Sequence, residues 1–177
     1  MYYFCSMIQL ENYIRNVKDF PAKGILFKDI TPLLNNYEAR QQMLADLLKL
    51  CQHLKIDKVV GIESRGFFFG MDIANSLQVG FVPLRKPGKL PYKTETESYG
   101  LEYGKDALEI HTDAIQKGDK VLIHDDVLAT GGTAAAACKL VEKLGGEVVQ
   151  LNFMMELAFL EGKKKVSNFE VKAVIIY

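Results

Sequence analysis

VLIHDDVLATGGT, residues 121–133, carries the strongest local signal in the chain. It opens on an apolar run, places two carboxylates side by side at Asp125 and Asp126, crosses a short apolar spacer, and reaches Ala129, Thr130, Gly131, Gly132 and Thr133. Residues 132–144 then put Ala, Leu and Val at helical spacing, so the order reads strand, acidic pair, glycine turn, helix. Glycines let the backbone approach an anion, the free amides of a helix's first turn point at it, and the Thr hydroxyls add donors. Two carboxylates at the carboxyl end of a strand accept hydrogen bonds from a vicinal diol, and open α/β sheets bind ligands at that end. A ribose 5-phosphate meets both demands. The plainer reading, in which the Asp residues cap the helix and the glycines only turn the chain, explains each residue singly but not their order. The spacings GxxxxGK[ST] and GxGxxG are absent, against an ATP loop or a dinucleotide fingerprint.

In this stretch and on either side of it, KVVGI (58–62), VGFVPL (79–84), KVLIH (120–124), EVVQLNFMM (147–155) and VKAVIIY (171–177) read as strands. Their continuous apolarity fits strands buried on both faces, with Met154 and Met155 in the core. Helical spacing over residues 37–53, 66–77 and 132–144 alternates with them, which predicts an α/β domain with a mostly parallel twisted sheet flanked by helices. One stretch breaks the rhythm: RKPGKLPYKTETESYGLEYG (85–104) carries two prolines and no sustained apolar period. It reads as a long loop of the kind that forms lids, ending in a strand pair through LEIH.

Composition narrows the function. The chain of 177 residues is the length of one domain, and 49% hydrophobic against 25% charged residues is the balance of a folded soluble protein. With 22 basic and 22 acidic residues the formal net charge is +0, so no general nucleic-acid surface is expected. Cys5, Cys51 and Cys138 are odd in number and far apart, which suits reduced thiols rather than disulfides or a zinc site. The apolar runs are too short for a bilayer and the first residues do not read as a signal peptide, so no membrane partner and a cytoplasmic location are expected. His53 and His111 read as surface or helix-terminal residues; His124, just before the acidic pair, has a ring whose direction the sequence does not give.

Residues 121–133 resemble the signature by which type I phosphoribosyltransferases bind phosphoribosyl pyrophosphate (PRPP), and four further segments look, in the same order, like the adenine type of that family. These are FPAKGILFKDITPLL (20–34), GIESRGFFFG (61–70), RKPGKLPY (85–92) and SYGLEYGKDALEIH (98–111). The resemblance implies a single domain over 1–177, with a small N-terminal hood (about 1–34) and a flexible lid loop (about 85–104). It implies that Asp125 and Asp126 hold the ribose hydroxyls, and that Ala129, Thr130, Gly131, Gly132 and Thr133 cradle the 5-phosphate. Glu63, Ser64 and Arg65, with Arg85, Lys86 and Lys89, would meet pyrophosphate, across a Glu63–Ser64 peptide that is cis or strained. Leu26, Phe27 and Lys28 would hold adenine, Phe27 by stacking. Glu102, beside Tyr103 in the lid, would act with Arg65 in catalysis. Glu63 stands where relatives often have Asp, Lys28 where many have Arg, and His124 where Val is common. The family further implies Mg2+ as cofactor with no assigned direct protein ligand, and a homodimer. Transfer to another purine (hypoxanthine, guanine or xanthine), or PRPP binding by a regulatory module without turnover, are the alternatives.

Overall fold

The computed structural model describes residues 8–100 and 105–177, and its chain divides into two compact units, Met1–Asp46 and Leu47–Tyr177. In the first, β1 (Arg15–Lys18) and β2 (Leu26–Asp29) form an antiparallel hairpin with Val17 opposite Phe27. The ring of Phe20 meets Phe27 edge to face, centroids 5.1 Å apart, while Leu26 is exposed. The short helix α1 (Thr31–Asn35) follows, then α2 (Tyr37–Cys51). Asn36 starts α2 by accepting the amide of Ala39 at 2.8 Å, the bond of an N-cap. Met43, Leu47 and Cys51 recur at helical spacing along α2 and are fully buried.

The second unit is built on five parallel strands in the order β4-β3-β7-β8-β9: β3 (Lys58–Ile62), β4 (Gly80–Leu84), β7 (Lys120–Leu128), β8 (Glu147–Glu156) and β9 (Val171–Ile176). Between these come α3 (Gly66–Leu77) and α4 (Gly132–Lys143), close to the ranges read from the sequence. The near-continuous burial of β7 and β8, which includes Met154 and Met155, is that of strands covered on both faces. Two buried amides tie β8 to the end of α2: Asn152 Nδ2 donates to Leu47 O at 3.1 Å and Gln150 Nε2 to Leu50 O at 3.1 Å. No helix among the described residues is long and apolar enough to cross a membrane.

The stretch expected as a loop differs. Residues Thr94–Gly100 form strand β5, paired antiparallel along its whole length with β6 (Lys105–His111). Leu108 and Ile110 alternate inward from β6 into the core and carry β5 with them. Arg85, just after β4, exchanges both backbone bonds with Glu109 (3.0 and 2.7 Å), which anchors the hairpin to the sheet's end. Lys139 and Lys143 on α4 pair with Glu97 and Glu95 on β5 at 2.9 and 2.5 Å.

Candidate active site

The crossover α3 leaves β3 toward β4 on one side, and α4 leaves β7 toward β8 on the other, so the two adjacent strands diverge in their connections. Such a switch point opens a crevice at the strands' carboxyl ends. The β3 ladder with β7 stops at Gly61 opposite His124, whereas β7 stays paired with β8 as far as Leu128. Asp125 and Asp126 therefore lie on the last stretch of a strand bonded on one side only, facing the turn after β3.

A cavity of about 340 Å³ occupies this crevice. Its lining gathers Glu63, Ser64 and Arg65 after β3, Lys86 after β4, Asp125 and Asp126 on β7, and Ala129, Thr130, Gly131 and Thr133 leading into α4. Gly132 stands behind them as the first residue of α4, and Arg85 and Lys89 are drawn onto Glu63 rather than into the lining. Leu26, Phe27 and Lys28 lie on β2 of the N-terminal unit, and Glu102 and Tyr103 lie outside the described residues. Tyr99, Asp106, Val127, Leu128, Ala134 and Phe153 complete the wall and were not singled out from the sequence.

Two close approaches shape the floor. A side chain on Gly66 would meet His124 O at 2.8 Å and Asp125 Oδ1 at 2.9 Å, so only glycine lets α3 begin against β7. Gly131, at φ +77°, caps α4, and a Cβ there would reach Gly162 O at 2.3 Å; one on Gly162 would reach Ala129 O at 2.2 Å. The 3-10 turn Gly162–Val166 thus braces the TGGT loop backbone to backbone. No side chain caps α4, and its first helical bond runs from Ala135 N to Gly131 O, which leaves the amides before it without an intrahelical acceptor. Asp125 and Asp126 do not cap the helix: Asp125 Oδ1 accepts the neighbouring amide of Asp126 at 2.9 Å. An uncapped helix start behind a glycine loop is an anion site.

Charge is handled differently on each side. Burial pushes both Asp125 and Asp126 above the usual carboxylate range; the negative charge of Asp126 adds to the shift of Asp125, while Arg65 opposes that of Asp126. Arg65 Nε lies 3.0 Å from Asp126 Oδ2, an ion pair that falls outside hydrogen-bond geometry. On Glu63, burial also pushes upward, but Lys89, the Lys86 amide (2.8 Å) and Arg85 (3.3 and 3.4 Å) outweigh it and hold the carboxyl at about 2. The Glu63–Ser64 peptide is cis. Beneath the site, His124 is buried against Asn152 Oδ1 at 3.3 Å, and burial lowers its pKa to about 4, so the ring is neutral and turned into the interior. His53 is exposed, 3.9 Å from Glu170, and His111 ends β6 beside Tyr92. Neither touches the cavity.

The sequence matches the phosphoribosyl transferase domain family over residues 32–172. A curated relative, the adenine phosphoribosyltransferase of Flavobacterium johnsoniae, is 64% identical over 170 residues, covering 96% of this chain and all of its own. Among solved structures, the adenine phosphoribosyltransferase of Rhodothermus marinus superposes with a TM-score of 0.91 at 54% identity, covering 95% of this chain and 96% of that one. The Saccharomyces cerevisiae enzyme, solved with adenine and an imino-altritol bisphosphate, superposes at 0.88 with 44% identity, covering 93% and 95% of the two chains.

Proposed function

We infer the reaction from membership: the chain belongs to the phosphoribosyl transferase family and, within it, to the adenine phosphoribosyltransferases. It is a transferase of purine salvage that moves the 5-phosphoribosyl group of PRPP to adenine, giving AMP and pyrophosphate. The observation that carries the chemistry is the cavity where two carboxylates and an uncapped helix start meet. Mass-spectrometric detection of AMP from PRPP, with adenine, hypoxanthine, guanine and xanthine competing, tests it; IMP, GMP or XMP as the main product refutes the adenine reading, and no nucleotide at all refutes turnover.

The residue roles are our proposal. Asp125 and Asp126 accept the ribose 2- and 3-hydroxyls, and the backbone and hydroxyls of 129–133 hold the 5-phosphate. As the C1–O bond to pyrophosphate breaks, positive charge develops on the ribose, and placed cations must take up the leaving group's charge. Arg65, Arg85, Lys86 and Lys89 are those cations; Arg85 and Lys89 pair with Glu63, Lys86 with Asp106 and Arg65 with Asp126. Leu26, Phe27 and Lys28 in the hood (about 1–34) hold adenine, Phe27 by its ring face. Glu102, in the segment 101–104 that follows β5, shares a proton with the purine beside Tyr103. Glu102→Gln and Glu102→Leu should lower single-turnover rates, by about 10²-fold for Leu and less for Gln. Wild-type rates in both would remove the role.

Mg2+ is the proposed cofactor. Among the described residues no three His, Cys, Asp or Glu side chains gather into a metal cluster. The cavity is lined by the carboxylates of Glu63, Asp106, Asp125 and Asp126, hard oxygens of the kind magnesium takes directly or through its waters, and no direct protein ligand is assigned. Bound with PRPP, the ion would neutralise leaving pyrophosphate charge. A homodimer is proposed on the exposed pair Phe68 and Met71, one turn apart on α3. A cytoplasmic location fits the free thiols of Cys51 and Cys138.

A further inference from the structure

The pyrophosphate side of the cavity already contains an anion of the protein's own. Tyr99 and Asp106 face each other on one rung of the β5–β6 hairpin, and both turn to the ammonium of Lys86. Lys86 Nζ donates to Tyr99 Oη at 2.8 Å and to the Asp106 carboxylate, and Tyr99 Oη donates to Asp106 Oδ2 at 2.8 Å. The second carboxylate oxygen of Asp106 accepts the Ala107 amide at 2.9 Å, which fixes the group in place. An ammonium has three donors, and here two are committed to the hairpin. A carboxylate can only accept, so in a pocket that binds a polyanion Asp106 offers the ligand nothing and repels it. Its effect on Lys86 is consistent: burial alone would depress the lysine, but Asp106 and Tyr99 outweigh it and raise its pKa.

Resting on the reading of Lys86 as a pyrophosphate contact, we propose that Asp106 is an internal competitor of pyrophosphate for Lys86. It occupies the ammonium when the leaving-group site is empty and takes it back when pyrophosphate departs, so the hairpin weakens product binding and hastens release. Tyr99 is the positioning residue that keeps carboxylate and ammonium in register. The pair is neither free nor sealed: the two side chains are 34% and 30% exposed, so their attraction is modest and a ligand of higher charge displaces it.

Product inhibition by magnesium pyrophosphate, measured beside inhibition by AMP, tests the proposal. Asp106→Asn keeps the size and an acceptor for Ala107 but removes the charge. It should tighten pyrophosphate inhibition about three- to tenfold, leave AMP inhibition unchanged, and lose its advantage as salt is raised. Tighter inhibition by both products, or no tightening by pyrophosphate, overturns it. Lys86→Gln should weaken pyrophosphate inhibition and abolish the Asp106→Asn effect in the double variant. If Lys86→Gln binds pyrophosphate as wild type does, the reading of Lys86 is wrong and the competitor falls with it. If Lys86→Gln weakens binding but Asp106→Asn does not tighten it, only the competitor fails. Should Asp106→Asn not fold, Tyr99→Phe decides, with a smaller tightening expected and an unchanged or weaker affinity overturning the proposal.

Discussion

Strands β3 and β7 run side by side and each delivers carboxylates to the same cavity, yet the two ends hold negative charge under opposite conditions. After β3, Glu63 is surrounded by Lys89, Arg85 and the Lys86 amide, and its charge is favoured. On β7, Asp125 and Asp126 share a buried strand end with Arg65 against them, and their charge is disfavoured. The β3 side has cations gathered on an acid whose place a polyphosphate can take. The β7 side has buried acids, one of them held by a backbone amide, which in the proposed roles take hydrogen bonds from the ribose hydroxyls. A site that must grip a leaving anion and a neutral diol within one cavity needs both arrangements.

The largest expected effect comes from making the β7 end resemble a neutral one. Asp125→Asn and Asp126→Asn should each lower kcat/KM for PRPP by about 10²-fold, the loss of charge-assisted hydrogen bonds to the ribose. Asp125→Asn should melt no lower than wild type, because it removes one of two like charges that burial already disfavours. A lower melting temperature with normal PRPP kinetics would mean these carboxylates serve the fold, and the contrast with Glu63 would collapse.

Rigidity separates the two sides as well, and two glycines measure it. Gly162→Ala drives a Cβ into Ala129 O, an approach of 2.2 Å, so the TGGT loop must move; if that loop holds the 5-phosphate as proposed, kcat/KM for PRPP should fall roughly tenfold. Gly88, in the cationic turn at φ +77°, has nothing within 4 Å of its would-be Cβ. Gly88→Ala bears only the backbone strain of that conformation, about 1 to 2 kcal/mol in stability, and should change kcat/KM less than about threefold. Equal losses in the two variants would show that the cationic turn is as tightly built as the phosphate loop.

The β7 side was the more legible in the sequence, for a physical reason. An acidic pair, a glycine turn and a helix start are consecutive, so Asp125 to Thr133 could be read from one stretch, and the buried strands around them announce themselves by unbroken apolarity. What stayed hidden depends on distant partners. Thr94 to Gly100 has no apolar alternation of its own; it is a strand because Leu108 and Ile110 on β6 enter the core and bring β5 along. Tyr99 and Asp106 were missed for that reason, the only signal being the alternation in DALEIH. Gly162 sits in EGKKK, where nothing local shows that its backbone touches Ala129 across the fold. Asp125 and Asp126 were expected at the strand's end, and they lie within β7 because β8 keeps pairing after β3 has turned away.

The smallest effect lies in stability against pH, and the two ends should give it opposite signs. A carboxyl whose folded pKa lies below its unfolded value stabilises the fold above the unfolded value, and that contribution is lost as pH falls. Glu63, moved from 4.5 to about 2, is such a group. Asp125 and Asp126, raised from 3.8, keep protons that the unfolded chain has released, so stability is greatest below 3.8 and declines as pH rises through their folded values. His124, lowered from 6.5 to about 4, adds a loss of its own as pH falls across that interval. One unfolding curve mixes all of these, but differences between a variant and wild type isolate each group. Urea unfolding at low salt should find Glu63→Gln less stable than wild type near neutral pH by on the order of 1 kcal/mol, with the gap closing as pH falls below 4.5. Asp125→Asn should gain on wild type by a similar order as pH rises from 3.8 toward neutrality, because only the wild type must then expose its buried pair to ionisation. Adding PRPP with magnesium should erase the second difference, since the bound diol gives the ionised pair its donors. If the two differences slope the same way with pH, Glu63 and the Asp125–Asp126 pair are held alike, and the division of labour between the strand ends is wrong.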